Sequence, residues 1–172
     1  MLAAISVAAV AALGVGGCGE EESLEVAEGE PVELGDLSYN VAITRFLNPA
    51  DSEDAAYLEG EPDPPPGEQY FGVFMRVANE GDEAARVSSA FKILDTREGS
   101  YSSISADNGY ALAPGSEVLP DQELPAPDTP AANGPIDGAM VLFLLPDEVT
   151  ENRPLEFEIP SAAGTGVIEL DI

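Results

Sequence analysis

Residues 70–78, Tyr-Phe-Gly-Val-Phe-Met-Arg-Val-Ala (YFGVFMRVA), decide the fold. The run is apolar on both alternating faces and holds aromatic and β-branched residues, which predicts a strand covered on two sides. It stops at Asn79-Glu-Gly-Asp-Glu83, a turn composition. A second such run, Gly138–Leu145 (GAMVLFLL), halts at Pro146. Strands with one wet face surround these two. Leu155, Phe157 and Ile159 alternate with Glu156 and Glu158, and Ile168, Leu170 and Ile172 alternate with Glu169 and Asp171. Leu37, Tyr39, Val41 and Ile43 should likewise share a face opposite Ser38, Asn40, Ala42 and Thr44. Val87–Leu94 and Ser100–Ile104 flank Gly99 as a hairpin. About seven short strands with no sustained helical period predict an all-β, antiparallel sandwich over residues 31–172.

One short helix is expected in Asn48–Gly60, with Asn48 as cap, Pro49 at the first position and Gly60 as terminator. Two long connections remain. Residues 61–68 (EPDPPPGE) form a stiff proline segment, and residues 105–137 are rich in Pro, Gly, Asp and Ala. Connections of that length are functional or mobile. Residues 105–137, with 47–68, are therefore the candidate contact surface, and residues 120–133 are expected to be removable without loss of the fold. Tyr57, Tyr101 and Tyr110 lie in or near connections, where exposed tyrosines serve protein interfaces.

The chain has 172 residues with 33 Asp and Glu against 6 Lys and Arg, a net charge of -27. This charge excludes nucleic acid as a partner, because a phosphate backbone needs clustered cations. It also opposes adsorption of the folded domain to anionic headgroups. Every acidic residue follows Cys18, the lone cysteine. Residues 2–17 (LAAISVAAVAALGVGG) carry no charge; as a helix they would reach about 24 Å, short of the ~30 Å hydrocarbon core. Their composition fits a signal peptide over residues 1–17, although no Lys or Arg precedes the apolar run.

Val15-Gly16-Gly17-Cys18 resembles a bacterial lipobox. The resemblance implies that Cys18 takes a diacylglyceryl group with acyl chains such as palmitate, and becomes the N-terminus after cleavage. Two or more chains anchor stably where one does not. A lipid-anchored protein on the extracytoplasmic face of the bacterial membrane is the expectation. Residues 18–30 read as the lipidated cysteine and an acidic tether, whose residues 19–30 reach at most about 40 Å.

The order "GDLSYNVAITRF", "GEQYFGVFMRVANEGDEAARVSSAFKILDTREGSY", "GPIDGAMVLFLLPDE" and "GVIELDI" resembles a domain of unknown function common in Gram-positive lipoproteins. It is similar in plan to the immunoglobulin-like immunoprotective extracellular proteins of mycobacteria. The likeness covers residues 29–172 and implies an immunoglobulin-like sandwich with no assigned reaction.

Little catalytic chemistry is available. The chain has no His, which removes imidazole triads and imidazole metal sites. An acylated Cys18 leaves no thiol for catalysis or metal ligation. Ser102, Ser103 and Ser105 lack the nucleophile-elbow pattern, and Gly164-Thr165-Gly166 lacks the lysine of a phosphate loop. Met75 and Met140 sit on apolar runs and read as core. The expectation is a protein that is not an enzyme, uses no cofactor and acts by binding an envelope protein. The alternative is a calcium-dependent structural or adhesive role, with oxygens from Asp51, Glu53 and Asp54 or from Asp147, Glu148 and Glu151.

Overall fold

The computed structural model describes residues 23–172. The expected leader at 1–17, Cys18 and residues 19–22 lie outside the described residues. Among the described residues twelve strands run in order as β1 (Ser23–Ala27), β2 (Pro31–Leu34), β3 (Leu37–Leu47), β4 (Glu68–Asn79), β5 (Ala85–Arg86), β6 (Lys92–Leu94), β7 (Ser100–Ser102), β8 (Glu117–Val118), β9 (Glu123–Leu124), β10 (Ala139–Pro146), β11 (Leu155–Ser161) and β12 (Gly164–Leu170). The first sheet is ordered β1-β12-β11-β6-β7 and the second β10-β4-β3-β2, with β9 beside β4 and β5–β8 as a separate ribbon. All named strand pairs are antiparallel except β1 with β12. The molecule is an all-β sandwich, as the periodicities predict.

The core lies between the sheets. Phe71, Val73, Met75 and Val77 of β4 and Val141, Phe143 and Leu145 of β10 face Ile93, Leu155, Phe157, Ile159 and Ile168 of the first sheet. Phe157 stacks on Phe91 at 5.5 Å and meets Phe143 edge-on at 6.1 Å, so one ring ties both layers together.

The opposite face of β4 and β10 is also covered. Tyr70, Phe74, Met140 and Leu142 pack there with Leu47, Tyr57 and Leu58 in a second buried cluster. This explains why both central runs are apolar on alternate faces. At Gly72 a Cβ would approach the Phe74 ring to 2.9 Å and Leu47 to 3.2 Å, so glycine makes room for this cover.

Four expectations change. Ser23–Ala27, read as tether, is an edge strand parallel to β12. The carboxylate of Glu28 then accepts hydrogen bonds from the Thr44 hydroxyl (2.8 Å), the Thr44 N–H (3.2 Å) and the Asp171 N–H (3.1 Å). An acidic segment that looked solvated thus ties β3 to the end of β12. Ile43 does not share the face of Val41, because a bulge between them shifts the register and leaves Ile43 41% exposed. The expected helix in 48–60 is reduced to a 3-10 turn at Asp54–Ala56, and the α-helix is instead α1 (Pro130–Asn133). Short pairings such as β5–β8 and β9 on β4 raise the strand number above seven.

The turns are held by side chains. Asp95 Oδ1 accepts the Arg97 N–H (2.8 Å) and Gly99 N–H (2.7 Å), and Oδ2 accepts the Tyr101 hydroxyl (3.0 Å). A Cβ at Gly99 would lie 2.5 Å from that carboxylate, so the hairpin needs glycine there. Buried Asn79 donates to the Glu83 and Val118 carbonyls, both at 2.8 Å, and accepts the Gly81 N–H at 3.0 Å. The motifs around Asn79 and Asp95 are turn locks.

Candidate functional site in the 105–137 connection

The two connections singled out by length do not hang free. Ile104 bridges to Leu142 and Ala111 to Met140, which lays the connection along the outer edge of β10. The backbone N–H of Ile136 donates to the Tyr57 hydroxyl at 3.0 Å, and the Asn108 side-chain amide donates to the Tyr57 carbonyl at 2.9 Å. Tyr57 is 1% exposed and its ring meets Tyr110 at 4.7 Å and Phe74 at 5.0 Å. Burial is the main cause that pushes its phenol above the ordinary value. Tyr101 is engaged with Asp95. The three tyrosines therefore form no exposed patch, because Tyr57 and Tyr110 pack over the outer face of the second sheet and Tyr101 packs against the main core.

Residues 120–133 are not dispensable either. Leu124 and Glu123 pair with Val77 and Ala78 of β4, and Ala131 is 3% exposed within the main core. Removing them would strip a strand from the second sheet and open the core, so the deletion expected to be harmless is disruptive.

What this connection does create is a recess. A cavity of about 180 Å³ opens between residues 109–116 and 124–131, walled by Leu112, Ser116, Leu124, Pro125, Ala131 and Ala139. Its lining is mostly carbon. Ser116 is one of the wall residues, and its hydroxyl oxygen is shut off from solvent without a hydrogen-bond partner. An unmade hydrogen bond of this kind costs about 1–3 kcal/mol. Asp54 Oδ1 is the other buried oxygen without a hydrogen bond among the described residues, but it sits 2.7 Å from the Arg45 guanidinium. Ser116 has no such compensation. A second hollow of about 380 Å³ adjoins the same chain segment along Asp121–Pro127.

The surroundings are acidic. Exposed Glu117, Glu123 and Asp128 each adjoin a wall residue in the chain, and Asp121 lines the second hollow. The cations nearby are spent within the fold. Arg76 on β4 pairs with Glu123 and Asp137, and Arg86 lies 3.5 Å from Glu117. The Arg76 guanidinium is held above its ordinary range, chiefly by its hydrogen bond to Asp137. Asp121 and Asp128 make no ion pair among the described residues.

The carboxylates considered for calcium do not converge. Asp51 Oδ1 accepts the Glu53 N–H at 2.8 Å, and Asp54 is committed to Arg45 and to the Asn48 N–H at 2.9 Å. Asp147, Glu148 and Glu151 line a 3-10 turn. Among the described residues no group of three or more His, Cys, Asp or Glu is placed to hold a metal ion. Among them, too, no helix is long and apolar enough to cross a membrane. Cys18 lies outside the described residues. Sequence reasoning singled out this connection by its length but gave no sign of the recess, whose residue types carry no motif.

No family profile matches the chain, and no curated protein matches it. Solved structures share its fold. An uncharacterized β-sandwich protein from Clostridium difficile 630 superposes with a TM-score of 0.54 at 15% identity, covering 89% of this chain and 97% of that one. The yjhA protein of Bacillus subtilis gives 0.51 at 9% identity, covering 86% and 99%. A candidate lipoprotein of Bacillus subtilis, ycdA, gives 0.53 at 11% identity, and the match covers 84% of this chain and 39% of that one. At these identities the likeness establishes the sandwich and nothing finer.

Proposed function

We propose that this protein is a lipid-anchored, extracytoplasmic, immunoglobulin-like binding module that carries out no reaction and engages an envelope protein through the 105–137 connection. The recess carries the reading. Its cavity of about 180 Å³ lies below the ~300–1,000 Å³ of small-molecule sites and near the ~150 Å³ that holds one benzene ring. That is room for one side chain of a partner. The anchoring half of the reading is supported by the lipobox-like sequence at Cys18 and by the lipoprotein description of one structural neighbour. The binding half is tested by placing a photo-reactive residue at Ala126 in intact cells. A discrete cross-linked protein is expected, and irradiation that yields only uncross-linked chain rejects the recess as a contact. Intact-mass analysis of membrane-extracted protein tests the anchor: a diacylated Cys18 at the N-terminus is expected, and an unmodified thiol rejects it.

A further inference from the structure

We infer that the recess takes an apolar side chain from a segment flanked by lysine or arginine, which identifies the partner by chemistry; this rests on the binding reading above. Two observations converge on one place. The wall is apolar and sized for a single branched or aromatic side chain. The surroundings carry Glu117, Asp121, Glu123 and Asp128, while the local cations Arg76 and Arg86 are already paired.

Charge selects among occupants. A second copy of this chain brings a net charge of -27 and would be repelled. An anionic lipid surface is repelled for the same reason. A cationic segment is drawn in from a distance and is held once its apolar residue is buried. The recess supplies the grip and the acidic surroundings supply the approach.

The test uses the purified full-length chain in zwitterionic detergent micelles, titrated with the peptide Lys-Lys-Leu-Lys-Lys and followed by backbone amide shifts. Shifts centred on Leu112, Ser116 and Ala131 are expected. Replacing the central leucine by alanine should weaken binding about tenfold, the loss typical of removing a buried anchor. The glutamate-flanked peptide Glu-Glu-Leu-Glu-Glu should not bind, and affinity for the lysine peptide should fall as salt rises. Ala113→Trp, at an exposed wall position, should fill the recess and abolish the shifts while leaving the melting temperature near that of the parent. Diffuse shifts over the acidic surface that Ala113→Trp leaves unchanged would overturn the inference. Equal affinity for neutral and basic peptides would overturn it too, as would cross-links from Ala126 to lipid or to a second copy. If a cross-linked envelope protein is captured and yet no basic peptide binds, this inference fails while the binding reading stands.

Discussion

The two faces of the second sheet are covered by different physics. Toward the first sheet, regular strands interdigitate Phe71, Phe143, Phe157 and their neighbours, and the stabilisation is apolar area removed from water. On the other side the cover is irregular chain, and polar side chains place it. Tyr57 accepts from Ile136, Asn108 reaches back to Tyr57, and the Tyr70 hydroxyl donates to the Pro62 carbonyl at 2.7 Å. Irregular backbone leaves N–H and C=O groups without ladder partners, and these hydrogen bonds satisfy some of them. One face is held by volume and the other by stitching.

That contrast can be broken by experiment. Phe157→Ala should have the largest effect, about 4 kcal/mol in urea denaturation, because the ring touches both layers and leaves a cavity no neighbour can fill. A cost below that of an ordinary surface change would mean the layers do not meet through this ring. Asp95→Asn tests stitching of the same kind in the first sheet, at the β6–β7 hairpin. Burial alone would raise this carboxyl, but hydrogen bonds from Gly99, Arg97, Tyr101 and Asn152 outweigh it and hold the pKa below its ordinary value. A carboxyl lowered on folding stabilises fully above its unfolded value, near ~3.9, and that contribution is lost as pH falls through the folded value. The variant should therefore unfold earlier at neutral pH and converge on the parent in acid; parallel curves across the range would refute the role.

Tyr57→Phe keeps the ring and removes the acceptor for Ile136. A loss of about 1 kcal/mol is expected, with faster amide exchange at Ile136 and unchanged protection in β11 and β12. Uniformly faster exchange would show that the two covers open together. Lys92→Ala should matter least. Its 2.8 Å pair with Glu158 joins two partly exposed side chains and should be worth about 0.5 kcal/mol in a double-mutant cycle, shrinking with salt.

Legibility in the sequence follows the same division. β4 and β10 were readable because two-sided burial writes an unbroken apolar run, and β11 and β12 because one-sided burial writes alternation. β1 was not. Ser-Leu-Glu-Val-Ala is an edge strand whose side chains mostly face water, with Leu24 44% exposed, so its composition resembles a solvated linker while its backbone pairs with β12. Ile43 was assigned to the wrong face because a bulge adds a residue without any sequence mark. The recess was hidden for a different reason. Alanine, proline and one serine carry no chemistry in isolation, and only the pairing of β9 with β4 brings Leu124 and Pro125 opposite Leu112.

The register of β1 also fixes a height. Ser23 sits level with Thr165, at the sandwich end where Ala163 approaches Gly35 and where the Asn79 N–H donates to the Gln122 carbonyl. Five peptide steps separate Ser23 from Cys18, a reach of about 17 Å at full extension. If Cys18 bears the proposed diglyceride, the body stands on a stub instead of drifting on a long leash. The sandwich end that carries Ser23 then stays within that reach of its attachment, and the Asp95 hairpin and the C-terminus lie at the opposite end of the strands.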